Sequence, residues 1–143
     1  MSVVELFVGL KIPDTTAITT FHTIEHMGYK IDRIKRLTYY KFDIDGDLEK
    51  FKKKIAKVDI VVNANKNTSE FGLKEEGFNI LVNDIDDRCV GLLSTLKDRL
   101  GLKEIKSIEK GVLWSLKVDS KKTAEEIAKN LLFNENYQEA KLL

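Results

Sequence analysis

His22-Thr23-Ile24-Glu25-His26 is the densest cluster of potential chemistry in the chain. It spells H-x-x-E-H, an inverted zinc-protease signature. Residues four apart share a helix face, so both imidazoles could reach one ion. But Phe21, Ile24 and Met27 aim the same helix at a core, which leaves the histidines on its flank. A hydrolytic centre also needs a third ligand and an open cleft. Two flank histidines are the expectation, and a zinc hydrolase built on His22, Glu25 and His26 is the alternative. Asp43-Ile44-Asp45-Gly46-Asp47 hints at a calcium loop. Its glycine falls two positions early and Lys54 stands where the loop needs a glutamate, so a strand end and a capped turn are expected instead.

Other reactive residue types read as structural. Cys89 lies on an apolar helical stripe with no base readable nearby, which suits a small buried hydrophobe. Tyr39, Tyr40 and Trp114 could stack bases from a sheet, but the glycine-aromatic pattern of such RNA platforms is missing. Lys50, Lys52, Lys53, Lys54 and Lys57 form a basic helix face, a solvated surface or else a docking patch for an acidic partner. Asn67-Thr68-Ser69 is a glycosylation sequon without a secretory signal to make it relevant. No P-loop, dinucleotide fingerprint or Ser-His-Asp set occurs in the sequence. No catalytic residue, metal or cofactor is expected.

Composition sets the class. Lys and Arg total 24 against 23 Asp and Glu, a net charge of +1, which argues against a nucleic-acid footprint. One cysteine excludes an internal disulfide and suits a reducing, cytoplasmic setting. No apolar run approaches the length of about 18 residues that a membrane helix needs.

The elements that position these residues alternate in type. Residues 3–10 read as a strand, and Asp14 or Thr15 as the cap of a helix with the stripe Ala17, Phe21, Ile24 and Met27, closed by Gly28. A long strand, 31–44, follows. Its alternation breaks near Leu37-Thr38, after which Tyr40, Phe42 and Ile44 share a face. Asp47 caps a second helix striped by Leu48, Phe51 and Ile55, and 59–63 reads as a short third strand. Polar turn residues over 64–72 mark a linker. Then the order recurs. A strand spans 78–82, and the acidic stretch 83–87 suits a helix start. A helix follows, striped by Cys89, Leu92, Leu93, Leu96 and Leu100 and closed by Gly101. The strand 103–118 loses its alternation at Lys110-Gly111, where the glycine marks a bulge or bend. A helix capped by Asp119 or Ser120, with Ala124, Ile127, Ala128 and Leu131 on one face, ends at 134–136. The last strand spans 137–142.

The pattern is β-α-β-α-β written twice: residues 1–67, a linker over 68–76, and residues 77–143. Gly28 and Gly101 stand about half a chain apart. The second copy resembles the PurS family, the small subunit of phosphoribosylformylglycinamidine synthase. Leu100-Gly101-Leu102 stands where that family ends its first helix in Leu-Gly-Tyr. The run from Ile105 to Leu116 matches its long strand with the glycine in register, and the run from Ala124 to Tyr137 matches its last helix and tail. In the first copy Met27-Gly28-Tyr29, Thr38 to Phe42, and Val4 to Lys11 look similar. Leu37 replaces the strand glycine there, and Val112 replaces the following lysine in the second copy. The family's G-x-x-D-P-x-G loop survives only as Ile12-Pro13-Asp14.

The resemblance implies an α+β fold. It would consist of two ferredoxin-related units paired as a pseudo-dimer, with mainly antiparallel sheets and helices packed on one face. It implies a scaffold, not catalytic alone, within an ATP-dependent glutamine amidotransferase complex of purine biosynthesis. There it would bridge the synthetase and glutaminase subunits for ammonia transfer, and the tandem chain could pair further with itself. Tyr39, Tyr40, Phe42, Trp114, Leu116 and Tyr137 are the candidates for contact between the repeats or with a partner. A ferredoxin-like module that senses a small metabolite is the alternative.

Overall fold

The computed structural model describes residues 2–63, 65–72, 77–84, 89–133, 136 and 138–142. Its elements in chain order are β1 (Ser2–Leu10), α1 (Thr15–His26), β2 (Ile31–Ile44), α2 (Leu48–Ile55), β3 (Asn67–Glu70) and β4 (Phe78–Asp84). There follow α3 (Val90–Ser94), continued by a π-helical turn Thr95–Arg99, and β5 (Ile105–Val118). Last come α4 (Lys121–Ile127), continued by a π-helical turn Ala128–Leu132, and β6 (Gln138–Leu142). Among the described residues the fold is α+β: four helices and one six-stranded antiparallel sheet in the order β3-β1-β2-β5-β4-β6. It is compatible with a ferredoxin-like arrangement.

Helix ends follow the capping chemistry. Asp14 accepts from the amides of Thr16 and Ala17 at 3.0 and 3.2 Å, and Asp47 from those of Glu49 and Lys50 at 2.9 and 3.2 Å. Ser120, rather than Asp119, caps α4 through the Thr123 amide. Gly28 and Gly101 take positive φ, +92° and +72°, where a side chain would be strained.

The chain divides into two compact units, and neither is a continuous half of the sequence. Unit 1 is Met1–Lys11, Thr38–Leu73 and Asp87–Lys110. Its core joins Val4, Leu6 and Val8 of β1 and Tyr40, Phe42 and Ile44 of β2 to Phe51 and Ile55 of α2, with Leu96, Leu102, Ile105 and Ile108 from farther along. Unit 2 is Ile12–Leu37, Lys74–Asp86 and Gly111–Leu143. Its core joins Ile24 of α1 and Ile31 of β2 to Ile80 and Val82 of β4, Trp114 and Leu116 of β5, and Ala124 and Ile127 of α4. Two of the divisions, 37/38 and 110/111, fall inside β2 and β5, near the places where the sequence alternation breaks.

Several expectations need correction. The third strand is not 59–63, which forms a turn: the amides of Val61 and Val62 both bond to the Val58 carbonyl. Those valines are apolar because they plug the unit 1 core, not because they pair in a ladder. The strand lies within the stretch read as a linker, at Asn67–Glu70. There β1 supplies the ladder, and the Asn67 side chain donates to the Gly9 carbonyl at 3.2 Å. Cys89 sits before α3 rather than on its stripe, with φ 53°, and packs part-buried against the unit 1 core. Met27 and Leu100, expected on buried stripes, are 42% and 50% exposed. Asn83 and Asp84 end β4 instead of opening a helix. Expectations resting on 85–87, on 73–76 of the linker, on Asn134 and Glu135, and on Tyr137 lie outside the described residues.

Gly111 is required by close approach. It faces Asn83 of β4, and a Cβ built on it would stand 2.7 Å from the Val82 carbonyl oxygen and 2.7 Å from Asn83 Nδ2. Gly111→Ala is expected to cost about 1–3 kcal/mol by overpacking. Gly72→Ala, with nothing within 4 Å, should stay within about 0.5 kcal/mol. Urea denaturation midpoints check both. The units also predict how the halves behave. A chain ending at Gly72 lacks Leu96, Leu102, Ile105 and Ile108, and residues 77–143 alone lack Ile24 and Ile31. Neither half should unfold cooperatively as a monomer; size exclusion with circular dichroism is the check.

Candidate functional site

Two clefts lie at helix ends, that of α2 in unit 1 and that of α4 with its π-helical turn in unit 2. In unit 1, α2 ends at Ile55. The amide of Lys57 bonds to the Lys54 carbonyl and that of Val58 to the Ile55 carbonyl, which closes the helix in a tight turn. The turn sends Val61 and Val62 inward and leaves Ile60 54% exposed. Facing it, left-handed Gly101 reverses the chain, so Leu100 stays outside while Leu102 is buried. Lys54, Lys57, Val58, Asp59, Ile60, Leu100 and Leu102 line a cleft of about 460 Å³.

Its charge is uneven. Lys54 meets Glu104 at 3.5 Å and Lys52 meets Glu49 at 3.8 Å, while the Lys52 ammonium also lies 5.6 Å from the Phe71 ring centre. Lys50, Lys53 and Lys57 make no ion pair among the described residues. Lys53 and Lys54 stand three and four residues after Lys50 on α2, and Lys57 follows the end of the helix at the cleft. Of the basic face read from the sequence, Lys50, Lys53 and Lys54 are exposed on α2 and Lys57 follows its end, bordering exposed apolar side chains, whereas Lys52 is part-buried against Phe71.

In unit 2 the cleft at the end of α4 is of another kind. Lys129, Asn130, Leu131, Leu132, Phe133, Asn136 and Gln138 line about 630 Å³. The Asn130 amide donates to Tyr29 Oη at 3.3 Å, and the Gln138 amide to Asp84 Oδ1 at 2.9 Å. Tyr29 follows Gly28 as Leu102 follows Gly101, so each cleft sits where a glycine-closed helix meets the end of a second helix.

The sequence candidates for chemistry are not brought together. His22 and His26 are exposed on α1, and His22 Nδ1 lies 3.5 Å from Glu25. No group of three or more His, Cys, Asp or Glu positioned to hold a metal occurs among the described residues. The acidic turn spends its carboxylates separately: Asp43 accepts from Ser107 Oγ at 2.8 Å, Asp45 meets Lys106 at 3.9 Å, and Asp47 caps α2. The aromatic candidates Tyr39, Tyr40, Phe42 and Trp114 are buried. Tyr40 stacks on Phe42, which meets Phe51 edge-on, and Trp114 and Leu116 lie in the unit 2 core. Tyr39 packs on Phe7 and donates to Glu5 Oε2 at 2.8 Å. Two residues of the clefts escaped sequence reading. Leu100 was placed on a core stripe, and Ile60 stood inside an apparent strand.

Burial holds the Tyr39 hydroxyl well above its ordinary titration range, helped by the hydrogen bond to Glu5 and the charges of Glu5 and Glu109. Burial raises Tyr40 as well, with a smaller contribution from Cys89. Both keep their protons more tightly folded than unfolded. Their stabilisation is whole below about pH 10, where an unfolded tyrosine ionises, and is lost as pH rises above that value. Tyr39→Phe should make the alkaline loss shallower, while costing about 1 kcal/mol at neutral pH for the lost hydrogen bond. Urea midpoints measured from neutral to strongly alkaline pH check this. Neither protein-family models nor curated proteins match this chain.

Proposed function

We propose that this chain is a non-catalytic assembly protein, a tandem repeat whose halves form a pseudo-dimer of the PurS kind. The observation that carries the reading is the strand order. Replace each strand by its counterpart (β1 with β4, β2 with β5, β3 with β6), and β3-β1-β2-β5-β4-β6 becomes its own reverse. Two copies of one β-α-β-α-β unit paired about a two-fold axis would give that order. Burial repeats as well. Ile31, Leu37, Tyr39, Tyr40 and Phe42 are buried in β2, and so are the residues at the same positions of β5: Ile105, Gly111, Leu113, Trp114 and Leu116. Each unit also draws its helices from both repeats: α2 and α3 in unit 1, α1 and α4 in unit 2. Exchange of that sort makes association obligatory, and a covalent link keeps the effective concentration of one repeat for the other high.

The partners in this proposal are the synthetase and glutaminase subunits of phosphoribosylformylglycinamidine synthase. That assignment rests on the resemblance of Leu100 to Leu116 and Ala124 to Tyr137, and of the shorter first-copy matches. Analytical ultracentrifugation of this chain mixed with both purified subunits, with and without ATP and glutamine, is the test. Co-sedimentation with either supports the assignment, and independent sedimentation under all conditions overturns it. A thermal-shift panel of amino acids and nucleotides examines the sensing alternative. A saturable stabilisation of about 2.7 kcal/mol at a hundredfold excess over Kd would favour that alternative over a scaffold.

A further inference from the structure

We propose that the unit 1 cleft between the end of α2 and Leu100–Leu102 is a docking site for an acidic, apolar-tipped segment of a partner protein. The proposal stands on unit 1 alone and does not depend on the assembly reading. Ile60 and Leu100 are large apolar side chains left 54% and 50% exposed, and they line the same concavity over Val58 and buried Leu102. Exposed apolar side chains that converge on a concavity, rather than scatter singly, mark a binding surface. Charge states the complement. Lys50, Lys53 and Lys54 on α2 and Lys57 after its end lead into the cleft, and only Lys54 among them has a carboxylate partner among the described residues. A chain with net charge +1 that gathers these lysines beside an apolar hollow is built for carboxylates flanking a leucine or phenylalanine.

Other occupants fit less well. An anionic membrane would meet protruding apolar residues, whereas here they line a hollow. Single-stranded nucleic acid binds through exposed aromatic platforms, and Tyr39, Tyr40 and Trp114 are buried. The corresponding end of α4 lines its cleft with Asn130, Asn136 and Gln138 besides Leu131, Leu132 and Phe133, carries Lys129 alone as a cation, and ties Asn130 to Tyr29.

The test is a titration of isotope-labelled full-length protein followed by amide chemical shifts. The probe is a capped peptide of about eight residues in which glutamates surround a Leu-Phe pair, short enough for one concavity. The expected result is saturable one-to-one binding, with shifts centred on residues 54–60 and 100–102. Raised salt should weaken it. Lys57→Glu and Ile60→Asp should each weaken it about tenfold, the equivalent of one lost contact. Both positions are exposed, so spectra away from the cleft should be unchanged, and Leu100→Asp serves as a third variant if one of them perturbs the fold. The proposal is overturned if the peptide produces no saturable shift at these residues. It is equally overturned if a peptide with serines in place of Leu-Phe binds as well, or if Ile60→Asp and Leu100→Asp leave binding intact. Stronger binding to phosphatidylserine vesicles or to a single-stranded oligonucleotide would also overturn it, and would name the occupant instead.

Discussion

Two fourteen-residue strands each have to serve two cores, and the rest of the structure depends on how they do it. β2 gives Ile31 to one cluster and Tyr40, Phe42 and Ile44 to the other. β5 gives Ile105 and Ile108 to one and Trp114 and Leu116 to the other. Where the strands change over, neighbouring residues are buried together: Tyr39 with Tyr40, and Leu113 with Trp114. Successive strand residues point to opposite faces, so both faces are covered at those points. A fully buried side chain such as Phe42 or Leu116 is worth about 1.5–3 kcal/mol, so the phase of each strand half is firmly set. This explains a break in alternation that would otherwise look like a defect in either strand.

Helix placement follows from a few polar residues. Asp14 does two jobs with one carboxylate. Oδ1 caps α1, and Oδ2 accepts from Arg36 Nε of β2 at 2.8 Å. The Arg36 guanidinium in turn lies 6.0 Å from the centre of the Trp114 ring. These side chains are only 15% and 32% exposed, so the pair is screened less than a surface ion pair and fixes where α1 begins against the sheet. It also gives Ile12-Pro13-Asp14 a role within this chain. Proline ends the strand, and aspartate starts the helix and anchors it.

Much of this was legible in the sequence because it is local. The bounds of β2 and the caps at Asp14 and Asp47 need only residue types and spacing. So do the left-handed glycines 28 and 101 and the two phase breaks. The misses share a different cause. Asn67–Glu70 forms an edge strand from polar residues, because an edge strand is held by its ladder to β1 and need not bury side chains. Val61 and Val62 carry strand-like side chains into a turn because the core beneath α2 has room for them. Met27 and Leu100 each stand one residue before a left-handed glycine, where the chain is already leaving the helix. The cleft brings Leu100 to Lys57 and Ile60 from a distant segment, and no periodicity in either segment reports that meeting.

A tandem repeat, as proposed above, differs from a homodimer in one physical respect: its two copies are free to diverge. A two-fold homodimer must present every surface residue twice. Here the counterpart helices already differ in charge. α2 carries Lys50, Lys52, Lys53 and Lys54 against Glu49, whereas α4 balances Lys121 and Lys122 with Glu125 and Glu126, and Lys121 pairs with Glu125 at 3.9 Å. The buried counterparts differ less: Tyr40 and Phe42 answer to Trp114 and Leu116, all apolar or aromatic and all in cores. Packing tolerates only changes that keep volume and apolarity, while solvated positions tolerate changes of sign. Selection acting on the surface can therefore make the α2 end basic and apolar and the α4 end amide-rich without disturbing the paired strands. That separation would let the two copies of the proposed repeat carry unlike clefts.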